Sequence, residues 1–328
     1  MEIHFFERNP LEGQISIEKL FSVIKEELDR KNIGYKTFIN PYSLSKFFKA
    51  LDYFKKNQGE INHITGDIHW VSLALDSRKT LLTVHDLSGL YQYTGIKKFL
   101  YYLIWVYLPF KKLKYITVIS EKTKQEIIKL LPSVANKIQV IPNCITIDIL
   151  PVDLKKNLGR AKILIVGTRS NKNIERVLQA CKDLDVKLTI VGKLDETQLE
   201  ILKKNNQNYN NYVNISDDEL KKLYDENDIL CFPSLYEGFG LPILEAQARN
   251  CIVITSNLSP MNNVAGTGAL LIDPYNTEEI RNSLIKIISN DDMKKELISK
   301  GHENVKKYSP EMIVNQYVDL YEKILAAK

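Results

Sequence analysis

The chain has 328 residues, 44% hydrophobic and 26% charged, with a net charge of +5 at pH 7. That length allows two ordinary domains, each with its own core, and that composition excludes a disordered, collagenous or disulfide-scaffolded chain. The charge is uneven, roughly +6 over residues 1–150 against roughly −1 over the rest.

Residues 1–8 carry acids at Glu2 and Glu7 and read as a first strand, not as a cationic leader. Strand-like apolar runs occupy 3–6, 36–39, 61–64, 80–84, 116–119 and 139–141, alternating with helical periodicity at 16–31, 44–57, 96–108 and 120–130. Pro142 and Asn143 close this half, and residues 145–160 read as a linker with little pattern. The second half restarts with a strand at 162–166, a helix at 174–184, a strand at 187–191, a helix at 197–205, a short strand near 212–214 and a helix at 216–225. A strand at 229–232, a helix at 243–249, strands at 252–255 and 269–272, and helices at 277–289, 292–308 and 310–325 complete it. Strands and helices alternating throughout predict parallel sheets wound by helices.

Cys144, Cys181, Cys231 and Cys251 are isolated, without metal-type spacing, and read as buried reduced thiols of a cytosolic protein. The longest apolar run, residues 99–110, falls short of the roughly twenty residues a membrane span needs. Lys97, Lys98, Lys111, Lys112 and Lys114 bracket it, and Phe99, Tyr101, Tyr102, Trp105, Tyr107 and Phe110 lie within it. Two readings stay open: a face seated on an anionic bilayer, or a core helix with solvated lysine ends.

The densest chemical signal is Asp228 to Gln247, which contains Tyr-Glu-Gly-Phe-Gly-Leu-Pro-Ile-Leu-Glu. An apolar strand, a glycine loop and a proline-started helix converge free N–H groups and a helix amino end into an anion site. Glu237 and Glu245 flank it, so the expected ligand carries both phosphates and hydroxyls, such as a sugar nucleotide. A second loop, Gly167-Thr168-Arg169-Ser170-Asn171-Lys172-Asn173, follows a strand and opens a helix, which places Lys172 where an ammonium neutralises a diphosphate. His85 ends a strand, at the sheet edge where α/β proteins place ligand groups, and Asp86 either orients its ring or caps the next segment.

The Glu-x7-Glu pattern around Gly-Phe-Gly-Leu-Pro resembles the donor motif of the retaining glycosyltransferases of family 4. The resemblance implies an α/β chain of GT-B architecture, two Rossmann-like parallel-sheet domains facing a central cleft. It implies an acceptor-side domain at 1–150, a nucleotide-sugar domain at 160–309, and a final helix, 310–328, returning to the first domain. By the same resemblance Glu245 holds the ribose, Glu237 contacts the donor sugar, and backbone N–H groups of Phe239, Gly240 and Leu241 hold sugar and phosphate. Lys172, with Arg169, stabilises the leaving diphosphate beside Gly167, and His85 contacts the donor sugar. Arg169 lies two residues past the glycine where the family has it adjacent, and Gly13 stands in a reduced glycine loop without the usual glycine pair.

The expected reaction moves a sugar from a UDP- or GDP-linked donor to a saccharide or polyprenyl-linked acceptor, in bacterial surface polysaccharide synthesis. The expected location is cytoplasmic, peripheral on the inner membrane face, without nucleic-acid partners. No metal or cofactor is expected. Asp183-Leu184-Asp185 nominally matches the acid pair of metal-dependent glycosyltransferases but sits at a turn, and the histidines of 63–69 match no zinc spacing. Rival readings are a GT-B nucleotide-sugar epimerase and a non-catalytic sugar-nucleotide-binding protein. A NAD-linked dehydrogenase is disfavoured, because Pro242 and Ile243 stand where a dinucleotide turn needs its last glycine.

Overall fold

The computed structural model describes residues 1–9, 16–152 and 160–327. They divide into two compact units, one formed by 1–146 with 309–328 and the other by 147–308. Gly13 lies outside the described residues.

In the first unit β1 (Glu2–Glu7), β2 (Gly34–Ile39), β3 (Ile61–Ile64), β4 (Thr80–Val84), β5 (Tyr115–Val118) and β6 (Ile138–Val140) form one sheet. Every pairing is parallel, in the order β2-β1-β3-β4-β5-β6. Successive strand residues face opposite sides, and here both sides are covered, which is why the strands read as continuous apolar runs. Phe5 packs into the layer of Ser16–Arg30 and Pro310–Ala326, and Phe6 into the layer of Phe47–Lys56. Each ring is fully buried and contributes about 2–3 kcal/mol.

His63, on β3, ties the sheet to the Pro310–Ala326 helix on the Phe5 side. One ring nitrogen lies 2.7 Å from the Tyr321 hydroxyl and the other 2.7 Å from Thr83 Oγ1. Burial holds its pKa down to about 3, so it is a neutral core histidine. Among the described residues no group of three His, Cys, Asp or Glu is placed to hold a metal ion.

The helix read at 96–108 runs on to Lys112 as Gly95–Tyr101, a π stretch at Tyr102–Tyr107 and Leu108–Lys112. The wider π turn carries Leu108 N–H to the Leu103 carbonyl and lets the helix pass Pro109. Pro109 has no N–H for the Trp105 carbonyl, and His69 Nδ1 reaches that oxygen at 2.9 Å.

In the second unit β7 (Ala161–Val166), β8 (Val186–Val191), β9 (Tyr209–Tyr212), β10 (Ile229–Phe232), β11 (Ile252–Ser256) and β12 (Ala269–Ile272) pair in the order β12-β11-β10-β7-β8-β9, all parallel. From β7 the chain proceeds to one side of the sheet, and from β10 to the other. The order therefore reverses between these two neighbours, and a crevice opens beyond their carboxyl ends.

Three local readings shift. The helix after β7 stops at Ala180, because the chain turns through Asp183 at φ 59°. The short strand lies at Tyr209–Tyr212, ahead of the expected 212–214. The start of the expected linker is tied to the second unit: Leu150 N–H donates to the Ala248 carbonyl at 2.9 Å and Asn250 Nδ2 to the Pro151 carbonyl at 2.9 Å.

Candidate donor site

Both predicted loops leave the sheet at the switch between β7 and β10. Gly167, directly after β7, holds φ 93°, and a Cβ there would come within 3.0 Å of the Lys172 side chain. Glycine thus supplies both the left-handed turn and the room for the lysine stem to cross it. Lys172 ends a 3-10 turn at Ser170–Lys172, and its Nζ lies 2.6 Å from Glu237 Oε1 on the loop after β10. The ammonium also stands 4.8 Å from the centre of the Phe232 ring, at the end of β10.

Two asparagines hold these loops together. Asn171 donates from Nδ2 to the Tyr236 carbonyl at 2.9 Å, and its own carbonyl accepts from Leu235 N–H at 2.8 Å. Asn173, buried at φ 61°, donates to the Pro233 carbonyl at 3.0 Å and the Pro274 carbonyl at 2.7 Å. One amide thereby links the loops after β7, β10 and β12, and Arg176 caps its oxygen at 2.7 Å.

Gly240 takes φ 110° and caps the helix Leu241–Ala248, so the helix starts two residues ahead of the expected 243, with Pro242 inside its first turn. Phe239 turns its ring inward, 5.9 Å from Tyr308 in an edge-on contact, which leaves its backbone as the part able to meet a ligand. Glu245 lies one turn into the helix, 7% exposed, and its Oε2 accepts the buried Tyr224 hydroxyl at 2.9 Å. The Arg169 side chain is exposed and makes no ion pair among the described residues, while its carbonyl accepts from Lys172 N–H at 2.8 Å.

Asp183 and Asp185 precede β8 and therefore sit at the amino end of the strands, the opposite end from Lys172 and Glu237. Asp185 pairs with Arg160. This acid pair belongs to a turn.

In the first unit His85 follows β4, and its Nε2 lies 2.9 Å from the Thr65 carbonyl, so that nitrogen carries the proton. Loss of solvent holds its pKa down to about 4, and the ring is neutral at neutral pH with a lone pair on Nδ1. Asp86 caps the Ser88 N–H at 2.7 Å, the second of its two expected roles.

Lys172, Glu237, Gly167 and the Leu241 helix end are thus gathered at one end of one sheet. Tyr224, Asn171, Asn173 and Phe232 were given no role of their own in the site by the sequence reading.

The family model described as Glycosyl transferases group 1 matches residues 147–304, and that described as Glycosyltransferase Family 4 matches residues 27–149. O-antigen chain mannosyltransferase B of Escherichia coli is 27% identical over 232 residues, 64% of this chain and 60% of the relative. O-antigen chain mannosyltransferase RfbU of Salmonella typhimurium is 28% identical over 208 residues, 60% of this chain and 57% of the relative. The matched region thus spans less than two thirds of either relative. Among solved structures, sucrose-phosphate synthase from Thermosynechococcus elongatus gives a TM-score of 0.75 at 18% identity, covering 100% of both chains. Anabaena HepE in complex with UDP-glucose gives 0.75 at 15% identity, covering 98% of this chain and 100% of that one. Matched by consecutive family models over most of its length and by whole-chain likeness in fold, the chain belongs to the group 1 glycosyltransferases and has the GT-B fold.

Proposed function

We propose that this chain is a retaining glycosyltransferase that moves a sugar from a UDP- or GDP-linked donor to a saccharide or lipid-linked saccharide acceptor in bacterial surface polysaccharide assembly. The observation that carries the reading is the Lys172–Glu237 pair at the switch of the second sheet, with Glu245 on the adjoining helix. Lys172 meets the donor diphosphate and takes up the charge that grows as the bond from the anomeric carbon to the phosphate oxygen breaks. Glu237 accepts a sugar hydroxyl and supports the cationic ring, and Glu245 accepts from the ribose. The acceptor oxygen bonds to the anomeric carbon from the face the phosphate leaves, and its proton passes to that phosphate. The charge that a divalent cation supplies in other transferases comes here from Lys172.

The O-antigen mannosyltransferase relatives make mannose the first sugar to test. A lipid-linked acceptor fits a basic and aromatic face in the first unit, seated on an anionic membrane surface. No helix among the described residues is long and apolar enough to cross a membrane.

The reading is tested by incubating the protein with a panel of nucleotide sugars and a lipid-linked saccharide. Transfer should fall about 100-fold or more in Lys172→Ala and in Glu245→Ala. Normal transfer by both variants overturns the assignment, and epimerisation of the free donor without acceptor favours the epimerase.

A further inference from the structure

We infer that the Lys172–Glu237 pair discriminates the nucleotide sugar from the bare nucleotide, and that its re-formation drives release of the spent nucleotide. The inference rests on the donor reading above and concerns regulation of the same site.

Lys172 has two contacts within the protein, the Glu237 carboxylate at 2.6 Å and the Phe232 ring at 4.8 Å. Their side chains are only 20% and 14% exposed for Lys172 and Glu237, so neither group regains full hydration when the pair is parted. Nor do the loops readily drift apart. Asn171 and Asn173 tie the lysine loop to the Glu237 loop through three hydrogen bonds, Leu235 N–H to the Asn171 carbonyl, Asn171 to the Tyr236 carbonyl and Asn173 to the Pro233 carbonyl, and a fourth ties Asn173 to Pro274 on the loop after β12. A diphosphate must therefore compete for Lys172 in place.

That competition has an electrostatic consequence. A diphosphate that draws Lys172 toward itself brings negative charge beside the Glu237 carboxylate in a partly dry site, where repulsion is stronger than in water. A donor sugar compensates by giving Glu237 a hydroxyl to accept. A bare nucleoside diphosphate gives it none. Once the sugar has been transferred, the nucleotide occupies a site whose carboxylate has lost both the sugar and the lysine, and the ion pair re-forms as the nucleotide leaves. Glu237 acts here through the difference between two ligands, which is how specificity arises.

The test titrates UDP, GDP, UDP-glucose and GDP-mannose into the wild-type chain, Glu237→Gln, Glu237→Ala and Lys172→Met by calorimetry, after melting curves establish that each variant is folded. Glutamine keeps the size and the hydrogen-bonding group but removes the charge. It should bind the preferred bare nucleotide at least about fivefold more tightly than wild type. Its preference for the nucleotide sugar over the bare nucleotide should shrink, and inhibition by the nucleotide product should deepen. Glu237→Ala should tighten bare nucleotide as well, and Lys172→Met should weaken both ligand types. Bare-nucleotide affinity unchanged or lower in both Glu237 variants overturns the inference and leaves the donor reading standing. Wild-type chain that binds none of the four probes overturns the donor reading, and the inference with it.

Discussion

The buried Tyr224 hydroxyl donates to Glu245 Oε2 at 2.9 Å and fixes the carboxylate proposed to hold the ribose. Tyr224 comes from Asp217–Glu226 and Glu245 from Leu241–Ala248, so the bond joins the helices on either side of β10. A hydrogen bond to a charged group contributes about 1.5–3 kcal/mol. Tyr224→Phe keeps the ring and deletes this bond, removing one restraint on the Glu245 carboxylate. The expected result is a donor KM raised about tenfold with kcat nearly unchanged, since Glu245 acts on the ribose and not on the breaking bond. An equal loss in kcat would show that Tyr224 serves the chemistry or the fold at large.

Asn173 adopts φ 61° while its amide reaches two proline carbonyls, a combination no other residue reproduces. Asn173→Gly retains the backbone conformation and loses both bonds, whereas Asn173→Ala loses both bonds and adds the left-handed cost of about 1 kcal/mol. Urea unfolding should rank wild type above glycine and glycine above alanine, with alanine down by about 3 kcal/mol. If alanine were no less stable than glycine, the conformational part of this account would fail.

The parts of this architecture that follow from nearby residues were legible in the sequence. A short apolar run such as Ile229–Phe232 ended by Pro233 fits a buried strand, and Gly-Phe-Gly-Leu-Pro after it fits a turn that starts a helix. Long-range partners were not legible. Lys172 meets Glu237 across 65 residues and His63 meets Tyr321 across 258, and neither partner leaves a local signal. His63 drew attention in the sequence as one of the histidines of 63–69 weighed against zinc spacing, whereas its two hydrogen bonds place it in the core. Asn173 did carry a faint signal: asparagine tolerates the left-handed region, and one just before a helix marks a turn.

Acid should destabilise the first unit through its histidines. His63 is held down to about 3 and His85 to about 4, both chiefly by loss of solvent, against 6.5 for a free histidine. Above 6.5 both states are neutral and the stability is fully present. As pH falls from 6.5 toward the folded values, the unfolded chain takes up protons that the folded one refuses, and each histidine forfeits about 1.4 kcal/mol per pH unit. Melting temperatures between about pH 7 and about pH 5 should therefore fall less steeply in His63→Gln than in wild type. Parallel curves for the two proteins would mean that His63 titrates normally.

The face proposed to meet lipid makes the sharpest surface prediction. Residues 91–100 are all exposed, and the helix Gly95–Tyr101 buries none of its residues. Ile96 is 76% and Phe99 60% exposed, which is more apolar surface than an ordinary solvated helix presents. Lys97 and Lys98 are exposed on the same helix, Lys111 and Lys114 are exposed at the far end of the helical stretch, and the sequence has no Asp or Glu between Asp86 and Glu121. Positive charge in a segment that also exposes aliphatic and aromatic side chains matches an anionic bilayer surface. In flotation with vesicles of phosphatidylcholine and phosphatidylglycerol, the chain should bind at low salt and be released as salt rises. Lys97→Glu with Lys98→Glu should weaken binding by about fivefold per lysine or more, and Ile96→Glu with Phe99→Glu should abolish it while leaving the melting temperature unchanged. A chain that stays wholly in the aqueous fraction with anionic vesicles, or that uses this face to form dimers in sedimentation, does not dock on membranes through it.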